Sequence, residues 1–167
     1  MERLEFTEDE FILLMNNSAE NLIYILENTN LKKEDVKILL EKVIKLDTKV
    51  IDKLIKDMLI TREDIIDFYK DGKIEKQQLF DIADKAIIDD YTIIKIYYAQ
   101  KEEKFNENLI LGKQELLEYF NIERIKQYIE NNEIEKVFLD FYKEILPENK
   151  EIKEEILRKY LTNNTSA

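Results

Sequence analysis

"DFYKDGKIEKQQL", residues 67 to 79, is the stretch on which the fold turns, because it fits either a calcium-binding loop or a bend between two helices. A calcium-binding helix-loop-helix draws oxygen ligands from loop positions one, three, five, seven, nine and twelve, and needs glycine at position six. With Asp67 first, Asp71 falls at five, Gly72 at six, Ile74 at eight and Glu75 at nine. Tyr69 then occupies position three and Gln78 position twelve, where an acid and a bidentate carboxylate are needed. Two of the strongest ligands are missing, so no bound metal and no cofactor is expected.

The helical reading accounts for more residues. "TREDIIDFYK" (61–70) opens with Thr61 and carries Asp64 three places on, close to the pattern of a capped helix start. Gly72 can take positive φ without a Cβ clash and can end that helix in a left-handed turn. Ile74 then returns to the core. In "EKQQLFDIADKAI" (75–87), Leu79, Ile82, Ala83, Ala86 and Ile87 recur at spacings of three and four, predicting a second helix folded back on the first.

Further apolar stripes flank this hairpin. "TEDEFILLM" begins with a Thr7–Glu10 capping box, and "NNSAENLIYILEN" restarts with Ser18 as cap and Leu22, Ile25 and Leu26 inward. Val36, Leu39, Leu40 and Val43 form one stripe, and Val50, Ile51, Leu54, Ile55 and Met58 the next. Beyond Gly112, "KQELLEYF", "ERIKQYIENN", "EKVFLDFYKEIL" and "KEIKEEILRKYL" read as four short helices. Pro147 should stop the third of them near Leu146. The stretch "YTIIKIYYA" (91–99) has the β-branched composition of a strand, but no second strand is present to pair with it, so it is read as helix. Ile93, Ile94, Ile96, Tyr97 and Tyr98 surround its axis. Such a helix is central or carries a second apolar face.

Composition bounds the rest. The chain has 167 residues with only two glycines and one proline, too few turn formers for an all-β fold. Residues 21–44, 63–87 and 115–134 share a pattern of apolar-aromatic helix, polar turn closed by Leu or Ile, and second helix. This pattern weakly resembles the hairpin units of α-helical solenoids, although the units are shorter than tetratricopeptide or ankyrin repeats. The expected fold is all-α: a multi-helix bundle or a short array of helical hairpins, with about eight to ten short helices. Residues 1–162 are expected to form one helical domain and residues 163–167 a frayed polar tail.

The absence of cysteine and histidine excludes disulfides, thiolate nucleophiles, histidine-ligated zinc and histidine-based triads. Serine occurs only as Ser18 and Ser166, and two isolated glycines build no phosphate loop. Adjacent acids such as Asp89 and Asp90 point about 100° apart on a helix and do not converge on one ion. No enzyme activity is expected. The net charge of -11, with only four arginines, disfavours direct nucleic-acid binding. "MERLEFTEDEF" lacks the pattern of a secretory leader, and no run approaches the roughly 20 apolar residues of a membrane span. A cytoplasmic location without membrane association is expected. The functional expectation is a non-catalytic module binding a protein partner, for which the net negative charge suits a basic surface, or a second copy of the chain; Ile94, Tyr97 and Tyr98 are the candidate contact residues. The alternative is an acidic nucleic-acid mimic, an inhibitor of phage type that covers the basic channel of another protein.

Overall fold

The structure, a computed structural model, describes residues 19–28, 32–131, 136–145 and 158. The capped helix expected at Thr7, the Ser18 cap, the stop at Pro147, the last expected helix apart from residue 158, and the tail 163–167 lie outside these residues. Every regular element among the described residues is helical. They are α1 (Ala19–Asn28), α2 (Lys33–Leu40), α3 (Thr48–Lys56), α4 (Arg62–Lys70), α5 (Lys76–Asp84), α6 (Asp90–Glu102), a 3₁₀ turn (Glu107–Leu109), α7 (Lys113–Tyr119), α8 (Ile122–Glu130) and α9 (Lys136–Ile145). Among the described residues no helix is long and apolar enough to cross a membrane. The chain divides into two compact units, Met1–Leu109 and Ile110–Ala167.

The first unit contains a repeat at half the length of the expected hairpins. Helices α3 to α6 begin at residues 48, 62, 76 and 90, fourteen residues apart. Written in that register the chain reads DTKVIDKLIKDMLI, TREDIIDFYKDGKI, EKQQLFDIADKAII and DDYTIIKIYYAQKE. Each unit opens on an N-cap: Asp47, Thr61, Glu75 or Asp89. Thr61 and Asp64 form the expected capping box, and the Asp47 and Asp89 carboxylates accept from the amides of Lys49 and Thr92. The fifth position is always buried (Ile51, Ile65, Leu79, Ile93), and so is the eighth (Leu54, Phe68, Ile82, Ile96).

Helices α3, α4 and α5 each have nine residues and end alike. Met58, Gly72 and Ala86 all have positive φ, between 57° and 80°. In each case the amide of that residue donates to the carbonyl three residues back, and the next amide donates to the carbonyl five back: Gly72 to Tyr69 and Lys73 to Phe68, for example. This is the Schellman ending, and it turns the chain so that the unit's last residue, Ile60, Ile74 or Ile88, is buried. The fourth unit carries Glu102 at that place, with no apolar side chain to draw the chain back, and α6 runs on to thirteen residues.

Two expected stripes therefore end early. Met58 was placed on the inward stripe of α3 and Ala86 on that of α5, but both lie past the helix end at the left-handed position and are exposed, Met58 at 77%. A helical stripe predicts burial only while the helix continues. Inside the unit α1 packs on α3, α4 on α6 and α5 on α6.

A buried cation ties the turn after α2 to this array. Lys73, only 7% exposed, donates from Nζ to the carbonyls of Leu40 (2.5 Å) and Glu41 (2.8 Å), and its own carbonyl accepts from the Leu46 amide (2.8 Å). The carbonyls at the end of α2 thus obtain a donor from a distant residue. Burial pushes the Lys73 ammonium below the ordinary lysine pKa, partly offset by the charges of Asp71 and Glu41.

The second unit is built on aromatic rings. Phe120, at the end of α7, meets Phe141 of α9 edge-on at 5.1 Å, and α7 packs on α9. Tyr142 and Phe138 extend the cluster, and Leu111, Leu116, Ile125 and Ile145 are buried in the same unit.

Candidate functional site

Helix α6 shows how the candidate residues are placed. Asp89 accepts from the amide of Thr92 (3.0 Å) and from its hydroxyl (2.8 Å), starting a helix through a β-branched run that would otherwise suit a strand. Ile93, Ile94, Ile96 and Tyr97 are buried. With neighbours on most sides, packing overrides the β-branched preference.

Of the three residues expected to meet a partner, Ile94 is 0% and Tyr97 4% exposed, which assigns both to the core. Tyr98 is half-buried. The two rings meet edge-on at 5.4 Å, and the Lys101 ammonium lies 4.6 Å from the Tyr97 ring centroid and 5.5 Å from that of Tyr98. Burial raises the Tyr97 phenol above its ordinary pKa, with Tyr98 adding to the effect, so it stays protonated through the neutral range.

A second constellation surrounds the start of the same helix. Arg62, the first residue of α4, pairs with the Asp89 carboxylate, while its guanidinium carbon stands 5.0 Å from the Tyr91 ring centroid. Lys95 stands 5.3 Å from the same ring and 3.7 Å from the Glu63 carboxylate. Burial acts to raise the Asp89 pKa, but hydrogen bonds from Arg62 and Thr92 and the Arg62 charge outweigh it and hold the carboxyl below the ordinary range. The pair also lines a pocket of about 170 Å³, shared with five isoleucines, Thr61 and Thr92. Sequence reading missed this site. Its signal was the repeat register, which sets Arg62 and Asp89 at the openings of alternate units.

The acids of α4 form a third feature. Burial raises the Asp67 pKa, and the charges of Asp71, Asp64 and Glu103 raise it further. Lys70 bonds to Glu103 (2.9 Å) and Lys37 lies 3.5 Å from Asp64, so the strip is partly neutralised. Among the described residues no three acids come together as metal ligands. No family model, curated protein or solved structure matches the chain.

Proposed function

We propose that the chain is a non-catalytic module that binds a protein partner through the α6 edge of its helical array, with Tyr98 and Lys101 as contacts. The observation that carries this reading is the half-buried Tyr98 ring, braced against Tyr97 and Lys101 on the longest described helix. A rigid aromatic with a polar tip loses little conformational freedom on contact and is a favoured anchor. The tandem repeat supports the same reading, because stacked units of this kind serve as extended binding surfaces. An acidic mimic is the second reading, favoured by the Asp64–Asp67–Asp71–Glu103 strip.

The test is capture of partners from lysate of the source cell on the immobilised chain, with Tyr98→Ala and Lys101→Ala beside the parent. Thermal melting confirms that each variant is folded, and sedimentation reports self-association. Loss of the same captured protein in both variants, with little change on adding salt, is the expected result. Capture that ignores both variants but collapses with salt favours the acidic reading, because screening weakens exposed charge pairs most.

A further inference from the structure

The repeat makes one position directly comparable between helices. The ninth residue of each unit is Ile55, Tyr69, Ala83 or Tyr97, and in α3, α4 and α5 it sits two residues before the cap of a nine-residue helix. In α4 the position is filled by the buried Tyr69, whose ring lies 6.4 Å from that of Phe105 and whose hydroxyl donates to the Leu109 carbonyl. In α3 the same position holds the shorter Ile55, which with Ile60, Ile65, Ile87 and Ile88 supplies the apolar lining of the 170 Å³ pocket. A cavity of about 150 Å³ lined by apolar side chains accepts benzene. The pocket beside Ile55 thus has room for one six-membered ring, the group that the chain carries at the equivalent position one repeat further on.

The rim decides what that ring carries. Arg62 is paired with Asp89 and packed on Tyr91, so the mouth has no unbalanced positive charge for an anion, and the Asp89 carboxylate opposes one. Thr61 and Thr92 line the same pocket, and their hydroxyls already donate to the carboxylates of Asp64 (3.1 Å) and Asp89 (2.8 Å), which leaves them as acceptors. A neutral hydroxyl can donate to them, which a carboxylate cannot, and an ammonium would bring a second cation beside Arg62. We propose that the pocket binds a single six-membered aromatic ring of the phenol class, with the ring against the isoleucines and the hydroxyl at the Thr61–Thr92 rim.

The probe is p-cresol, titrated into the full chain carrying labelled isoleucine δ1 methyls and followed by NMR. The expected result is saturable shifts confined to Ile55, Ile60, Ile65, Ile87 and Ile88, with Ile74 and Ile125 unmoved. Toluene should bind more weakly, and p-toluate at least about tenfold more weakly, because its charge must be desolvated where the one lining cation, Arg62, is already paired with Asp89. Ile55→Tyr transplants the residue of the next repeat and should abolish the shifts while leaving the Ile74 methyl in place. Ile87→Phe serves as a second blocking variant should Ile55→Tyr fail to fold. Shifts that never saturate or that spread over all isoleucines, p-toluate binding as tightly as p-cresol, or binding undiminished in the folded blocking variants would each overturn the proposal.

Discussion

Replacing Met58 with glycine should stabilise this protein, and replacing Gly72 with alanine should destabilise it by a similar amount. Both occupy the left-handed turn that ends a nine-residue helix, at φ 57° and 80°. A side chain in that conformation costs about 1–2 kcal/mol, because Cβ crowds the following carbonyl oxygen. Glycine avoids that cost but makes the unfolded chain more disordered, which takes back about 0.4–1 kcal/mol. The difference leaves about 0.5–1 kcal/mol in favour of glycine at each site. Little else changes. Met58 is 77% exposed and gives up almost no burial, and a Cβ built on Gly72 meets no atom within 4 Å. Denaturant melts of Met58→Gly, Ala86→Gly and Gly72→Ala, read from the midpoint at constant slope, test all three turns. Met58→Gly and Ala86→Gly should gain and Gly72→Ala should lose. A loss above about 1 kcal/mol in Met58→Gly, or no loss in Gly72→Ala, would show that side-chain contacts and not backbone conformation govern these turns.

Leu54→Ala and Leu79→Ala, at fully buried core sites, should each cost about 2–5 kcal/mol in the same melts, and a cost typical of surface changes at either would refute the core assignment. Lys73→Met removes the donor for two carbonyls while leaving them in place, and should cost about 1–3 kcal/mol; unchanged or raised stability would mean that burying the ammonium outweighs its hydrogen bonds. Asp89→Asn keeps the cap but removes the charge. Because the Asp89 pKa is lowered in the fold, its contribution is present above the unfolded pKa and is lost as pH falls through the folded one. The difference in Tm between parent and variant should therefore shrink from about pH 6 to about pH 2, and a difference that grows on acidification would refute the pairing with Arg62.

The helical class and the helix and turn over Thr61–Ile74 were legible because local rules act there: a capping box, a glycine turn and an apolar return are each specified within a few residues. Which helices pack together was not, since α4 and α5 were expected to fold onto each other and instead both pack on α6. The helix over 91–99 was readable only by elimination, since its β-branched composition favours a strand and burial decides otherwise. The fourteen-residue period was hidden because its diagnostic position is not conserved in chemistry. Methionine, glycine and alanine fill the same left-handed turn at 58, 72 and 86. Only the glycine announces it. The Arg62–Asp89 corner could not be read at all without that register, because 27 residues separate the pair.

The run-on of α6 also bears on how the chain could change length. In the first three units the final isoleucine returns the backbone to the start of the next helix, whereas Glu102 in the fourth releases it. Growth or loss of whole pairs of units upstream, such as residues 61–88, would join one unit's closing isoleucine to the next N-cap, Ile60 to Asp89, and keep alternate helices in step. A change that is not a multiple of fourteen residues would break that junction and put part of a helix where a buried isoleucine belongs. The array is thus modular in whole units, with a punctuation mark at its end.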